Sequence, residues 1–216
     1  MYYAIIGDIV NSKKLENRFD VQINLKQVLE QVNEEYESNI YSCFSITLGD
    51  EFQGLLDNAE CLLEIIDVIR CKMYPVKIRF GIGVGSIVTP IERSHSLGSD
   101  GPAYWCARKA IMDVHESNDY GHTMTRIMTE TATEQTDLIN NSLRVCDWMF
   151  NSWTEPQRKF VSELIPLVRY SKFQQKEIAG QLNLKPQAIN HKIQHTGVLS
   201  YIAVRKSLSE TINTIR

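Results

Sequence analysis

At 216 residues, 43% hydrophobic and 23% charged, the chain has the make-up of a globular protein with room for one large domain or two small ones, which excludes a disordered or membrane-embedded chain. The net charge of −3 is unevenly spread: residues 1–152 carry 13 Lys and Arg against 22 Asp and Glu, whereas 153–216 carry 10 against 4. An acidic body therefore precedes a basic tail, which places a boundary near Asn151-Ser152 (domains 1–150 and 151–216) and points to a nucleic-acid partner for the tail alone.

The first strand, Tyr2 to Val10, reads YYAIIGDIV and is apolar nearly throughout, as in the middle of a sheet. Asp8 interrupts it, and an ionised carboxylate there is costly unless it meets a cation or several donors. The run is too short to span a membrane and lacks a basic leader, so neither a signal peptide nor a membrane partner is expected. After a polar turn at Asn11 to Lys14, the spacing of Val21, Leu25, Val28, Leu29 and Val32 predicts a helix over Arg18 to Tyr36.

Ser42 to Leu56 reads as a hairpin. Phe44, Ile46 and Leu48 alternate with Cys43, Ser45 and Thr47, Gly49-Asp50 suits a two-residue type II′ turn, and Phe52 to Leu56 returns. Asp50 and Glu51 then share the tip. Docked beside Asp8, they would make an oxygen-ligand site suited to magnesium or manganese.

Asp57 or Asn58 is positioned to cap a second helix through Leu62, Leu63, Ile65, Ile66 and Ile69, ending before Pro75. In the strand Val76 to Gly85, the residues Val76, Ile78, Phe80, Ile82 and Val84 share one face. Gly81, Gly83 and Gly85 mark close approach of a backbone or a ligand. A loop over 86–101 follows, in which His95 reads as solvated. Pro102 opens a helix to Glu116, where Tyr104 and Trp105 read as core beside Ala107, Ile111 and Val114. A strand over His122 to Met128 and a helix over Thr131 to Phe150 complete the body. This order makes an α/β (α+β) sandwich, with a ferredoxin-like plan the natural candidate. The five cysteines include no CxxC pair and no histidine at zinc spacing, so they read as reduced thiols of a cytoplasmic protein.

In the tail, Thr154 and Gln157 form a capping box with Pro156 in the first turn of a helix to Val168. Gln174 to Leu182 and Pro186 to Thr196 flank a short turn at Asn183-Leu184-Lys185, a helix-turn-helix pattern held by Ile178, Ala179, Leu182, Leu184, Ile189 and Ile193. A last helix over Leu199 to Ile215 packs behind. In double-stranded DNA the second helix would enter the major groove, with Gln187, Asn190, His191 and Gln194 reading bases and Lys185 and Lys192 meeting phosphates.

The blocks IIGDIVNSK, ITLGDEFQGLL, RFGIGVGSI and DGPAYWCARKAI follow one another within roughly the first 115 residues and resemble those of the SatD family, which the tail also fits. More distantly they resemble the palm domain of class III nucleotide cyclases and diguanylate cyclases, LGDEF differing from the GGDEF signature at Leu48. That resemblance implies a ferredoxin-like, nucleotide-cyclase-type palm domain in which Asp8 and Asp50 hold metal against a nucleoside triphosphate. It also implies a homodimer. Arg18, Gly83, Gly85, Arg108 and Lys109 become the candidate nucleotide contacts. Aligned on Gly101, Trp105 and Lys109 stand where such cyclases carry an Asn and an Arg, with Arg108 one residue out of step. The implied function is a nucleotide- and metal-binding regulator with a DNA-binding helix-turn-helix; the alternative is a nucleotide cyclase or other phosphoryl-transfer enzyme.

Overall fold

The computed structural model describes residues 1–117 and 119–215. Strands β1 (Tyr2–Ile9), β2 (Ile40–Leu48), β3 (Glu51–Leu56), β4 (Ile78–Gly85) and β5 (Thr125–Thr129) form one sheet in the order β2-β3-β1-β4-β5. Neighbours are antiparallel except β4 and β5, which run parallel. The helices among the described residues are α1 (Arg18–Glu35), α2 (Leu62–Lys72), α3 (Pro102–Glu116), α4 (Glu134–Ser152), α5 (Glu155–Val168), α6 (Gln175–Gln181), α7 (Pro186–Thr196) and α8 (Val198–Ile212), with a 3-10 turn at Ser12–Lys14. The fold is thus mixed α/β. No described helix is long and apolar enough to cross a membrane, and all five cysteines are free thiols.

Central β1 is buried on both sides, which is why its sequence is a continuous apolar run. Tyr3, Ile5 and Ile9 enter the main core with α1 and α2; Ala4 and Ile6 lie on the opposite face with Ala103, Tyr104, Ala107 and Ile111 of α3. On β4, Ile78, Phe80, Ile82 and Val84 join the main core while the three glycines lie under α3. A Cβ at Gly83 would stand 1.9 Å from the Ala103 carbonyl oxygen and 2.2 Å from the Ala107 nitrogen. The close approach read from these glycines is therefore that of a helix backbone. Gly83→Ala is expected to lower stability by about 3 kcal/mol, the upper end of overpacking costs, because backbone cannot step aside as a flexible side chain does. An unchanged urea midpoint would refute this contact.

Three local expectations need correction. The cap for α2 is neither Asp57 nor Asn58: the helix starts at Leu62, Asn58 Oδ1 accepts from the Glu60 N–H (3.2 Å), and the Ala59 N–H goes to Asn213 Oδ1 (2.8 Å). Leu48 is not on the buried face but 75% exposed, because the Asp8–Glu51 pair is the last rung between β1 and β3 and the tip projects beyond it. Gly49 has positive φ (+64°) as expected, but the turn closes by an Asp50 N–H bond to the Leu48 carbonyl, a γ-turn closure and not type II′.

The β5 edge is closed by side chains of α4. Asn140 accepts from the Ile127 N–H and donates to its carbonyl, both at 2.9 Å, and Asp147 Oδ2 accepts from the Met124 and Thr125 N–H groups at 2.9 and 2.7 Å. An edge so occupied cannot pair with another strand.

Across residues 150 and 151 the core is unbroken. Phe160, Leu164 and Ile165 of α5 and Tyr201, Leu208 and Ile212 of α8 belong to the same apolar cluster as the sheet. Within it lies a polar network. Asp67 of α2 accepts from Arg205 Nη2 (2.7 Å) and Nε (3.0 Å) and from the hydroxyls of Tyr170 (2.5 Å) and Tyr201 (3.0 Å). Arg70 Nη2 donates to Asp147 (2.9 Å) and Thr125 (2.8 Å). The basic tail is thereby bolted to the acidic body.

Candidate functional site

Asp8 faces Glu51 on β3 and Arg79 on β4. Strand β4 thus supplies the cation that the half-buried Asp8 carboxylate requires. Arg79 Nε and Nη2 donate to the two Asp8 oxygens at 2.9 Å each, a two-pronged pair, and Arg79 Nη1 lies against His115 Nδ1 of α3. Glu51 is held by Arg108 of α3 and accepts from Thr47 Oγ1 at 3.0 Å. Asp50 has a different environment: its carboxylate accepts from the Ser12 hydroxyl, and its carbonyl takes the Ile9 N–H at 3.1 Å. A cleft of about 190 Å³ opens beside Asp8, Glu51, Arg108, Met112, His115 and Glu116. It brings the Arg108 guanidinium, the His115 imidazole and the carboxylates of Asp8, Glu51 and Glu116 to one rim.

The three predicted metal ligands come together at one end of the β1–β3 ladder, yet each has its own partner. No group of three or more His, Cys, Asp or Glu among the described residues could hold a metal ion. Their oxygen chemistry suits magnesium, but Asp8 and Glu51 are neutralised by arginines, so the present arrangement is not a cation cage. A divalent ion would have to displace Arg79 and Arg108.

The predicted nucleotide contacts do not all converge. Arg108 reaches the cleft. Lys109 lines an adjoining groove of about 460 Å³ with Trp105, Met112 and Met128. Arg18 stands at the hairpin tip, its Nη2 3.6 Å from where a Cβ on Gly49 would be. Gly83 and Gly85 meet α3 and not the cleft. Trp105, expected in the core, is 56% exposed with its indole N–H donating to Asp100 (2.7 Å); Tyr104 is the buried member of the two. His95 is exposed, as expected. Arg79 and His115 were not legible as site residues. Arg79 does alternate onto the glycine face of β4, but pairing it with Asp8 requires the strand order.

In the tail, α6 ends in a Schellman closure. Asn183 takes φ +51°, the Leu184 N–H donates to the Ala179 carbonyl (2.8 Å) and the Asn183 N–H to that of Gly180 (3.3 Å). Ile178, Ala179, Ile189 and Ile193 are buried, which turns Lys185, Gln187, Asn190, His191 and Gln194 outward. Asn190 accepts weakly from Gln175 (3.4 Å), and the rings of His191 and His195 lie tilted against each other with centroids 4.0 Å apart. Lys192 departs from the expected pattern: its ammonium lies over the Phe160 ring of α5 at 5.4 Å, a cation–π contact that folds it inward.

No curated protein matches this sequence. The model of the SatD family matches residues 2–212, nearly the entire chain, and the protein therefore belongs to the SatD family.

Proposed function

We propose that this protein is a regulator that binds duplex DNA through α7 and a nucleotide through the rim of the Asp8 cleft. The observation that carries the proposal is the outward row Gln187, Asn190, His191 and Gln194 on a helix whose other face is locked by Ile189 and Ile193. Asn and Gln can each make two hydrogen bonds to adenine, discriminating by about 1–3 kcal/mol per pair. The +6 charge of residues 153–216 supplies the phosphate attraction such a reader needs.

The N-terminal half of the reading draws on topology. Antiparallel order β2-β3-β1-β4 with two covering helices is that of a ferredoxin-like unit, to which α3 and β5 are added, and the palm resemblance fits this plan. Arg18, Arg79 and Arg108 around the hairpin offer cations to phosphates. Magnesium or manganese enters as the companion of those phosphates, and Asp8, Asp50 and Glu51 are the carboxylates that would exchange their present partners for it. A symmetric dimer suits both a palm domain and a paired DNA half-site.

The test is selection of bound sequences from random duplexes by the full chain, followed by titration. Gln187→Ala and Asn190→Ala are each expected to weaken the selected site by roughly 5-fold to 150-fold, the equivalent of about 1–3 kcal/mol. Lys185→Ala should flatten the salt dependence and Lys192→Ala should leave it nearly unchanged. Absence of duplex binding at low salt refutes the DNA half. Repeating the titration with ATP or GTP and magnesium tests the other half: a change in affinity abolished by Asp8→Asn supports it, and superimposable curves refute it.

A further inference from the structure

We infer that the outer ridge of α3 is the surface on which two copies of this chain pair, antiparallel, about a two-fold axis at Met112. This deepens the homodimer reading above and rests on it. Helix α3 spends one face on the sheet, through Ala103, Tyr104, Ala107 and Ile111. The other face presents Trp105, Arg108, Lys109, Met112 and Glu116, at the three- and four-residue spacings that make one continuous ridge.

Two features of that ridge are unusual for a surface meant to face water. Trp105 and Met112 are 56% and 54% exposed, and both border the groove of about 460 Å³ that Met128 of β5 floors. Trp105 is also held in place, by its bond to Asp100, so little side-chain freedom is lost on contact. A fixed, exposed tryptophan is the residue type that most often anchors an interface.

Charge selects the occupant. The N-terminal half of the ridge is basic, with Arg108 and Lys109; the C-terminal half is acidic, with Asp113 and Glu116. Rotating one copy about an axis through Met112 sets Met112 on Met112 and brings Lys109 of each copy to Glu116 of the other, while Arg108 keeps Glu51 of its own chain. A parallel pairing sets like against like. The pattern is self-complementary in one orientation only, which is what an isologous interface requires.

The ridge alone is too small. Stable interfaces bury about 800 Å² per partner, whereas a 15-residue helix offers a strip roughly 22 Å long. The surface continues onto the hairpin tip, where Leu48 is 75% exposed beside Glu51, itself tied to α3 through Arg108. Leu48 and Met128 extend the apolar surface to either side of the helix.

The full chain should sediment as a dimer at micromolar concentration. Met112→Glu is expected to yield monomer throughout the accessible range, and Lys109→Glu and Glu116→Lys should each raise the dimer dissociation constant by about 10-fold or more. These two positions are chosen because Arg108 holds Glu51 and Asp113 holds Arg126. Combining Lys109→Glu with Glu116→Lys in one chain should restore the dimer, since each reversed charge then meets a reversed charge. A dimer indifferent to all of these changes overturns the α3 interface and leaves the homodimer reading standing. A wild-type chain that is monomeric at every concentration overturns both. A double variant no better than the single ones overturns the antiparallel register.

Discussion

Asp67→Ala is expected to lower the free energy of unfolding by about 3–5 kcal/mol, a large part of what a domain of this size possesses. Asp67 is fully buried and accepts four hydrogen bonds, two from Arg205 and one each from Tyr170 and Tyr201. Removing it leaves the wholly buried Arg205 guanidinium without its counter-charge. That guanidinium already has one nitrogen, Nη1, with no hydrogen-bond partner among the described residues. Because the four donors come from α8 and the segment after α5, the loss should loosen the attachment of the tail to α2. The measurement is urea unfolding followed by far-ultraviolet circular dichroism. Adding Arg205→Met should return most of the loss, because an apolar side chain of similar length needs no counter-charge. A single-variant loss near 1 kcal/mol would mean that the pair is solvated and not a bolt.

This network also marks where sequence reading stops. Helices α3, α5 and α7 begin at Pro102, Glu155 and Pro186, with proline in the first turn, and α5 carries the Thr154–Gln157 capping box. Such signals are local, so the segments were legible to the residue. The Asp8 argument was also sound in kind: a charge inside an apolar strand needs a partner, and the partner is Arg79. The same logic applies to Asp67 and Arg70, which stand in the otherwise apolar run IIDVIRC of α2. Two charges inside a helix buried almost all round announce a tertiary network. Their partners, however, are 138 residues away for Arg205 and 77 away for Asp147, and no local pattern supplies that pairing. Trp105 failed for a related reason. Helical spacing identifies the apolar stripe of α3 but not which large residue at its border points outward, and that is decided by how closely the glycines of β4 let the helix descend.

Raising the pH should unfold the protein progressively from about pH 9. Burial, more than any neighbouring charge, lifts the hydroxyls of Tyr170 and Tyr201 well above the usual phenol value, and the Asp67 carboxylate lifts them further. Burial also raises the Cys71 thiol, and pushes Cys146 up to about 11. In the unfolded chain cysteine and tyrosine lose their protons near pH 8.5 and 10. The folded values are the higher ones, so the folded state binds more protons in the alkaline range, and stability is fully present below about pH 8 and falls above it. Cys146 alone, with a folded value about 2.5 units above the unfolded one, contributes roughly 3 kcal/mol that is gone once both values are passed. Each tyrosine adds a slope of about 1.4 kcal/mol per pH unit above pH 10. Urea midpoints between pH 7 and 11 measure the sum. Tyr201→Phe isolates one contribution: it should lower stability at pH 7 by about 1 kcal/mol through the lost bond to Asp67, and make the decline above pH 10 shallower by one tyrosine's slope. If the midpoint stays level to pH 11, the hydroxyls ionise in the folded protein, and the network joining the tail to the sheet is open to water.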